Sequence, residues 1–540
     1  MVRINPGARS RTITVGTILG MSLVTGGWLL ERGTHSGAEP TEAEAARLFD
    51  VVFSHVARNY VDSVPEDAMY RMAVEGMLYE LEDPYTSLLA PEKLGRLNET
   101  TSGNYAGIGI QADVRDGWIV VIAPTPGSPA ERAGIQPGDR IIEIDGRSTQ
   151  GWTLEDASRS FRGDAGTSVA LRLERPGMAN SVPLTLTRRP LHRSAVRRLA
   201  MLPNGVGYID LKAFSDSSDR ELSRSVNALI SRGAKSLILD LRANPGGLLE
   251  QGTAVADLFL SPGQRLVSLR GRVPEANRDY TDSTDQKWPR LQLTVLVDEK
   301  SASAAEIVAG ALQDHDRAVI VGESTYGKGS AQSVVPLGEI GGLKITTAKW
   351  YTPSGRSISK RLDRGEEAPE PPSTQKYRTS SGRIVYDGGG ITPDVLASDS
   401  AFTHDVRDFQ TILGRRVSQF RDAMTDYARS LKGARTVPSP QFEVTPAMRD
   451  EVWQRMVARG VVMDRSIYDE YAPVVTQLLT YDIARYVFGP EAEFKRRVTH
   501  DRAIKTALDL ATGAATQQVL LRKALTRQQA QQQAQTAAPE

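Results

Sequence analysis

Ser303 lies in Asp298-Glu299-Lys300-Ser301-Ala302-Ser303-Ala304-Ala305-Glu306-Ile307, which joins an apolar, strand-like run to a helical one. A hydroxyl at such a junction sits near the positive end of the helix, and the N–H of the next residue can donate to an oxyanion formed there. To act as a nucleophile the serine needs a base. Of the six histidines only His315 is close in sequence, and twelve residues of helix put it about 18 Å away. There is no Gly-x-Ser-x-Gly turn. A lysine can replace histidine if burial draws its pKa from about 10.4 toward 7 or 8, so that the neutral amine accepts the serine proton. Lys328 is the candidate, in Gly322-Glu323-Ser324-Thr325-Tyr326-Gly327-Lys328-Gly329-Ser330-Ala331-Gln332 after another apolar strand. Taken singly, Ser303 reads as an ordinary helix cap and Lys328 as a solvated turn residue.

The lysine loop also imitates a phosphate-binding loop through Gly322, Gly327 and Lys328. The imitation fails at Gly329, where a hydroxyl for Mg²⁺ is needed, and at Gln332 to Leu337, which read as a strand where a helix is required. With no cysteine and no histidine pair at ligand spacing, no metal is expected. No cofactor is expected either. A net charge of +1 supplies no field to hold nucleic acid.

A second constellation precedes this one. Tyr105-Ala106-Gly107-Ile108-Gly109-Ile110 places two glycines before a strand, where bare backbone amides can converge on a carboxylate. With Pro126-Gly127-Ser128-Pro129-Ala130, Ala133-Gly134-Ile135-Gln136-Pro137-Gly138-Asp139 and Ile144-Asp145-Gly146, the stretch 99–188 resembles a PDZ domain. That resemblance implies a free protein C-terminus adding as a strand beside Ile108 to Ala112, against a helix over Leu154 to Phe161. The substrate-binding residues would be Ala106, Gly107, Ile108, Gly109 and Ile110. Arg162, after that helix, is either a plain surface arginine or a sensor of the bound carboxylate.

The Ser-Ala-Ser-Ala-x-Glu-Ile string, Tyr-Gly-Lys-Gly twenty-five residues on, Gln332, Asp240-Leu241-Arg242-Ala243-Asn244-Pro245-Gly246-Gly247 and Lys349-Trp350-Tyr351-Thr352-Pro353-Ser354-Gly355-Arg356 together resemble the C-terminal processing peptidases, or tail-specific proteases. The likeness runs from about residue 42 to 398. It implies that Ser303 is the nucleophile, Lys328 the general base and Gln332 the residue orienting the lysine, with Gly246, Gly247 and Ala304 building the oxyanion hole. Ala305 departs from relatives that carry a second serine there, and leaves the dyad untouched.

These residues must be positioned by a multidomain α/β chain, because 540 residues exceed one core. Three arginines, Arg3, Arg9 and Arg11, precede an uncharged run from Thr12 to Leu30. That pattern reads as an export signal cut near Ser36-Gly37-Ala38 or as an inner-membrane anchor, over residues 1–38, and so as a periplasmic or envelope protein. Residues 41–98 read as a helical segment, with Leu48, Val51, Val52, Val56, Met69, Met72 and Met77 at helical spacing for packing or oligomer contact. In the PDZ-like part, strands are expected at Ile108 to Ala112, Trp118 to Ile122, Arg140 to Ile144, Ser168 to Glu174 and Pro183 to Thr187, and Thr153 is expected to cap the helix with Asp156. Residues 189–398 form the peptidase core, crotonase-like or ClpP-like by the family resemblance. Its strands fall at Val206 to Leu211, Ser236 to Asp240, Leu293 to Val297 and Val319 to Val321; its helices fall at Asp219 to Arg232, Leu248 to Leu260 and Ala302 to Gln313. Residues 361–382 read as a polar loop, 399–525 as a C-terminal helical region and 526–540 as a disordered Gln/Ala-rich tail.

The expectation is an exported serine endopeptidase that recognises protein C-termini and cuts near them. Its partners would be protein or peptide substrates, with a homo-oligomer or an adaptor protein; the terminal helices would serve assembly or partner binding, or equally plain packing. Two other readings stand: a catalytically silent PDZ scaffold in the envelope, and a crotonase-like small-molecule enzyme that rests on fold analogy alone.

Overall fold

The computed structural model describes residues 41–175, 178, 180–360, 375–398 and 400–537. The segment 1–38, expected as signal or anchor, lies outside the described residues. Among those described, no helix is long and apolar enough to cross a membrane. The described residues divide into two compact units, before and after the boundary between 82 and 83. In the first, α1 (Glu42–Asn59) begins at a Thr41/Glu44 capping box and α2 spans Glu66–Glu80. The two helices meet through Phe53 stacked on Tyr70, with ring centroids 4.4 Å apart. Helical spacing is as expected, yet Leu48, Val51, Val52, Met72 and Met77 are all exposed.

The expected helical segment 41–98 ends at 82, because the residues after it belong to the second unit. There β1 (Ser87–Leu89) joins a strand of the peptidase core, and α3 (Pro91–Ser102) leads into the PDZ domain. β2 (Asn104–Gly107) is followed by β3 (Ile110–Arg115), β4 (Trp118–Pro124), β5 (Arg140–Ile144), α4 (Leu154–Phe161), β6 (Ser168–Glu174) and β7 (Val182–Thr187). The side chain of Thr153 accepts from Asp156 N, and that of Asp156 accepts from Thr153 N, closing the expected capping box. Alternate residues of the strands, Ile119, Val121, Leu171 and Leu173, fill one core with Phe161. β2 and β8 (Arg189–His192) pair as an antiparallel ribbon between this domain and the next.

The peptidase core opens with β9 (Val196–Leu202), β10 (Val206–Leu211), α5 (Ser218–Ser231), β11 (Ser236–Asp240), α6 (Leu249–Asp257) and β12 (Arg265–Gly271). It continues with β13 (Gln292–Val297), α7 (Ala304–Asp314), β14 (Val319–Gly322), β15 (Ser330–Pro336), β16 (Gly342–Tyr351) and β17 (Val395–Leu396). One sheet has the order β9-β10-β11-β13-β14-β17, parallel except for β9. Its strands are apolar on both faces, as a covered parallel sheet requires. Leu237, Leu239, Val295 and Ile320 pack with Leu222, Val255, Val308 and Leu312 of α5 to α7. A second, antiparallel sheet centres on β16, which pairs with β15 on one side and with β1 and β12 on the other.

The opposite face of the parallel sheet is closed by the end of the chain. After α8 (Ser400–Leu413), α9 (Val417–Ala434), α10 (Pro446–Ala458) and α11 (Ala472–Ile483), which share a core around Phe409, Phe420, Met456 and Leu479, come α12 (Pro490–Val498), α13 (Arg502–Ala511) and α14 (Gln517–Ala537). Ile504, Ala507, Leu520, Leu521 and Ala524 pack on Tyr208, Ile238, Leu296, Val319 and Val321. The expected disordered tail 526–540 is therefore corrected as far as Ala537, the last described residue. Gln and Ala favour helix, and Gln531 pairs both ways with Leu396 of the edge strand, N–H to Oε1 at 3.2 Å and Nε2 to O at 2.7 Å. Within the expected loop 361–382, Lys376–Arg378 instead forms a hairpin strand with Ile384–Tyr386. Residues 361–374 lie outside the described ones.

Candidate active site

Ser303 caps α7 with φ +55° and ψ −115°, a backbone conformation that costs a non-glycine residue roughly 1–3 kcal/mol and persists only where its surroundings impose it. The restraint is Glu306, one turn on. Its buried carboxylate accepts from Ser303 N at 2.8 Å and Lys328 N at 3.0 Å on one oxygen, and from Gly327 N at 2.7 Å and Thr325 Oγ1 at 2.5 Å on the other. The same carboxylate thus clasps the backbone of the serine turn and of the lysine turn. Burial lifts its pKa above the usual value, while the four donors favour the ionised form.

Lys328 is half-buried, and its carbonyl accepts from Trp350 Nε1 at 2.9 Å. Burial, reinforced by the like charge of Lys344, lowers its pKa from 10.5 to about 8, against the pull of Glu306 and Asp83. The ammonium lies 4.7 Å from the centroid of the Tyr85 ring, and among the described residues no hydrogen bond joins it to Ser303 Oγ. Gln332 Nε2 donates to Ser330 Oγ at 2.9 Å and Thr346 Oγ1 at 3.2 Å, and among the described residues no hydrogen bond joins Gln332 to Lys328.

The Asn-Pro-Gly-Gly loop reaches the serine from the end of β11. A Cβ on Gly246 would lie 2.8 Å from Ser303 Cβ and 2.9 Å from Ala304 N, so only glycine fits there. Gly246 N is occupied, donating to Asn244 Oδ1 at 2.8 Å. Gly247 N and Ala304 N have no protein acceptor among the described residues. Asn244 is fully buried and donates from Nδ2 to Leu211 O at 2.8 Å. The loop is stitched to Phe214, whose N donates to Gly246 O and whose O accepts from Leu248 N. Ala243, at φ +52°, donates its N–H to Asp298 Oδ1 at 2.9 Å.

In the PDZ domain the strand starts at Ile110, two residues later than expected. Ile108 and Gly109 form a loop: Ala130 N donates to Ile108 O at 2.9 Å and Thr125 N to Gly109 O at 2.8 Å. Ala106 and Gly107 belong to β2 and pair with Pro190 and Arg189. Ile108 N donates to Phe161 O at 3.2 Å, so the end of α4 holds an amide expected to face a carboxylate. β3 pairs only with β4 among the described residues, which leaves its α4-facing edge without a strand. Arg162, bridged to Gly107, is ion-paired with Glu99 and lies 5.4 Å over the Tyr105 ring.

Glu306, Asn244 and Tyr85 join the site without a role expected from the sequence. Glu306 had a usable signal, being three residues after a helix-capping serine in a capping-box pattern. Tyr85 had none, because its place beside Lys328 depends on β1 pairing across 260 residues with β16, where Thr346 N donates to Thr86 Oγ1.

A PDZ domain joined to an α/β core with a strained serine at a helix N-terminus and a lysine of lowered pKa defines a serine-type peptidase. Comparison with known proteins agrees: residues 205–365 match Peptidase family S41 and residues 120–175 match the PDZ domain. The carboxy-terminal-processing protease of Bartonella bacilliformis is 36% identical over 371 residues, covering 67% of this chain and 83% of that protein. The carboxyl-terminal-processing protease of Synechocystis is 39% identical over 339 residues, with 62% and 78% covered. The carboxy-terminal processing protease CtpA of Bacillus subtilis is 33% identical over 343 residues, with 64% and 73% covered. The chain belongs to the carboxy-terminal processing proteases of family S41.

Proposed function

We propose that this protein is an exported endopeptidase that takes the C-terminus of a protein substrate on its PDZ domain and cuts nearby with a Ser303/Lys328 dyad. The observation that carries the reading is the Glu306 carboxylate, which ties the serine and lysine turns to one anchor although they are twenty-five residues apart. Neutral Lys328 removes the Ser303 proton as Oγ adds to the substrate carbonyl, and the resulting oxyanion faces Ala304 N and Gly247 N. The protonated lysine then gives its proton to the departing amine. Water, deprotonated by the same lysine, releases the acyl group. To take the Ser303 proton, Nζ has to shift within hydrogen-bond reach of Oγ from its place 4.7 Å from the Tyr85 ring, and Gln332, held through Nε2 by Thr346, keeps Oε1 to accept from the amine. The occupied Ile108 amide supports a resting arrangement, in which a substrate C-terminus displaces Phe161 O and β-strand addition follows along β3.

Export rests on Arg3, Arg9, Arg11 and the uncharged run after them. The exposed apolar side chains of α1, Leu48, Val51 and Val52, support assembly into a homo-oligomer. The test is incubation of purified protein with an unfolded substrate, followed by terminal sequencing of the fragments. Cuts near the C-terminus that vanish with Ser303→Ala and Lys328→Ala are expected. Unchanged fragments with Ser303→Ala would overturn the dyad, and no fragments from the wild type would favour a silent scaffold.

A further inference from the structure

Arg242 is the second residue past β11 in the loop that ends at Gly247. Its guanidinium lies between two carboxylates from distant parts of the chain. Nε contacts both Asp240 oxygens at 2.9 and 3.1 Å, Nη2 reaches Asp240 Oδ2 at 2.7 Å, and Nη1 reaches Asp501 Oδ2 at 2.9 Å. Asp501 precedes α13, outside both matched segments. Its other oxygen accepts from Ile504 N at 2.9 Å and caps that helix.

The loop is under strain at the next residue, Ala243, whose φ is +52°. Asp298 holds Ala243 N on one side. On the other side the restraint is Arg242, through its own fork on Asp240 and through its carbonyl, which accepts from Lys212 Nζ. Asp240 is already shared, accepting from Tyr208 Oη at 2.7 Å as well. Asp501 therefore supplies the fixed charge that keeps Nη1 from swinging out, and it is itself fixed by helix α13 packed on the sheet.

We propose that Asp501 is a positioning residue for the peptidase reaction: through Arg242 it sets the Asp240–Gly247 loop that presents Gly247 N to the developing oxyanion. The inference rests on the Ser303 reading above, and it makes the C-terminal helices part of the catalytic frame. A loop shifted by a fraction of an ångström still admits substrate but stabilises the tetrahedral state less, so the effect falls on kcat and spares KM.

The two oxygens of Asp501 can be tested against each other. Serine caps a helix well but cannot reach Arg242, whereas glutamate reaches the arginine and caps poorly. Asp501→Ser is expected to keep the wild-type melting temperature and KM and to lose kcat by about 10- to 100-fold. Its affinity for a peptidyl aldehyde, which forms a tetrahedral adduct with the serine, falls by the same factor as kcat/KM. Asp501→Glu is expected to melt lower and to keep most of kcat. The reverse pattern, an active serine variant and a slow glutamate variant, assigns Asp501 to capping alone and overturns the proposal. Should Asp501→Ser fail to fold, Asp501→Asn, which keeps the cap and removes the charge, carries the same readouts. Ser303→Ala runs alongside: if it remains active the parent reading fails, whereas an inactive Ser303→Ala beside a fully active Asp501→Ser refutes only this inference.

Discussion

Replacing Lys328 with methionine should stabilise the folded protein while abolishing proteolysis. Burial and the charge of Lys344 lower the lysine pKa from 10.5 to about 8, which corresponds to roughly 3 kcal/mol of penalty on the charged amine in the folded state. The Tyr85 ring at 4.7 Å returns part of this, a cation–π contact being worth about 0.5–2 kcal/mol, and residual exposure screens some of the rest. A net gain of about 1–3 kcal/mol at pH 7 is expected, because methionine keeps the apolar stem and carries no charge. The sign has a pH signature. Below about pH 8 the lysine is charged in both folded and unfolded chains and the whole penalty is present. Between about 8 and 10.5 the unfolded chain binds the extra proton, so the wild type gains stability as pH rises and the gap to the variant closes. Urea unfolding at pH 7 and pH 10.5, followed by tryptophan fluorescence in a Ser303→Ala background to suppress self-cleavage, measures both gaps. In parallel, wild-type kcat/KM should climb with an apparent pKa of about 8. A methionine variant no more stable at pH 7, or a gap indifferent to pH, would refute the claim that this amine sits in an environment that favours its neutral form.

Glu306→Gln should lower kcat at least 100-fold and cost about 2–4 kcal/mol in urea unfolding, since an amide turns an N–H₂ toward donors that need an acceptor; near-wild-type turnover would remove Glu306 from the clasp. Gly109→Ala should open the PDZ loop, because φ is +77° and the added Cβ would meet Ser128 Cβ at 2.3 Å. Amide exchange at Thr125 and Ala130, which donate to Gly109 and Ile108, should speed up at least tenfold; unchanged protection would show that the loop tolerates the side chain.

Where one signal dominated locally, sequence and structure coincide. Arg140–Ile144, Ser168–Glu174, Val206–Leu211 and Ser236–Asp240 have the expected bounds, as does the Leu154–Phe161 helix with its Thr153 cap. Alternation or an unbroken apolar run decided the strands, and a capping box decided the helix. The antiparallel sheet was harder to read. β16, Gly-Leu-Lys-Ile-Thr-Thr-Ala-Lys-Trp-Tyr, mixes polar and apolar residues because different partners cover its two ends. The glutamines of the last helix resemble a solvated tail, while its attachment depends on Leu520, Leu521 and Ala524 meeting a sheet about two to three hundred residues earlier. At the site, the residue types of Ser303 and Lys328 were legible and the path of Nζ was not. Its place over Tyr85 follows from tertiary packing rather than from spacing in the chain.

The sheath of helices after residue 490 also bears on where this protein can be cut short. A version ending at the close of the S41 match, or even at Leu396, would leave Tyr208, Ile238, Leu296 and Val321 facing water across a row of parallel strands, an apolar surface of the kind that drives aggregation. The stretch that matches the family therefore stops short of the helices that cover its own sheet.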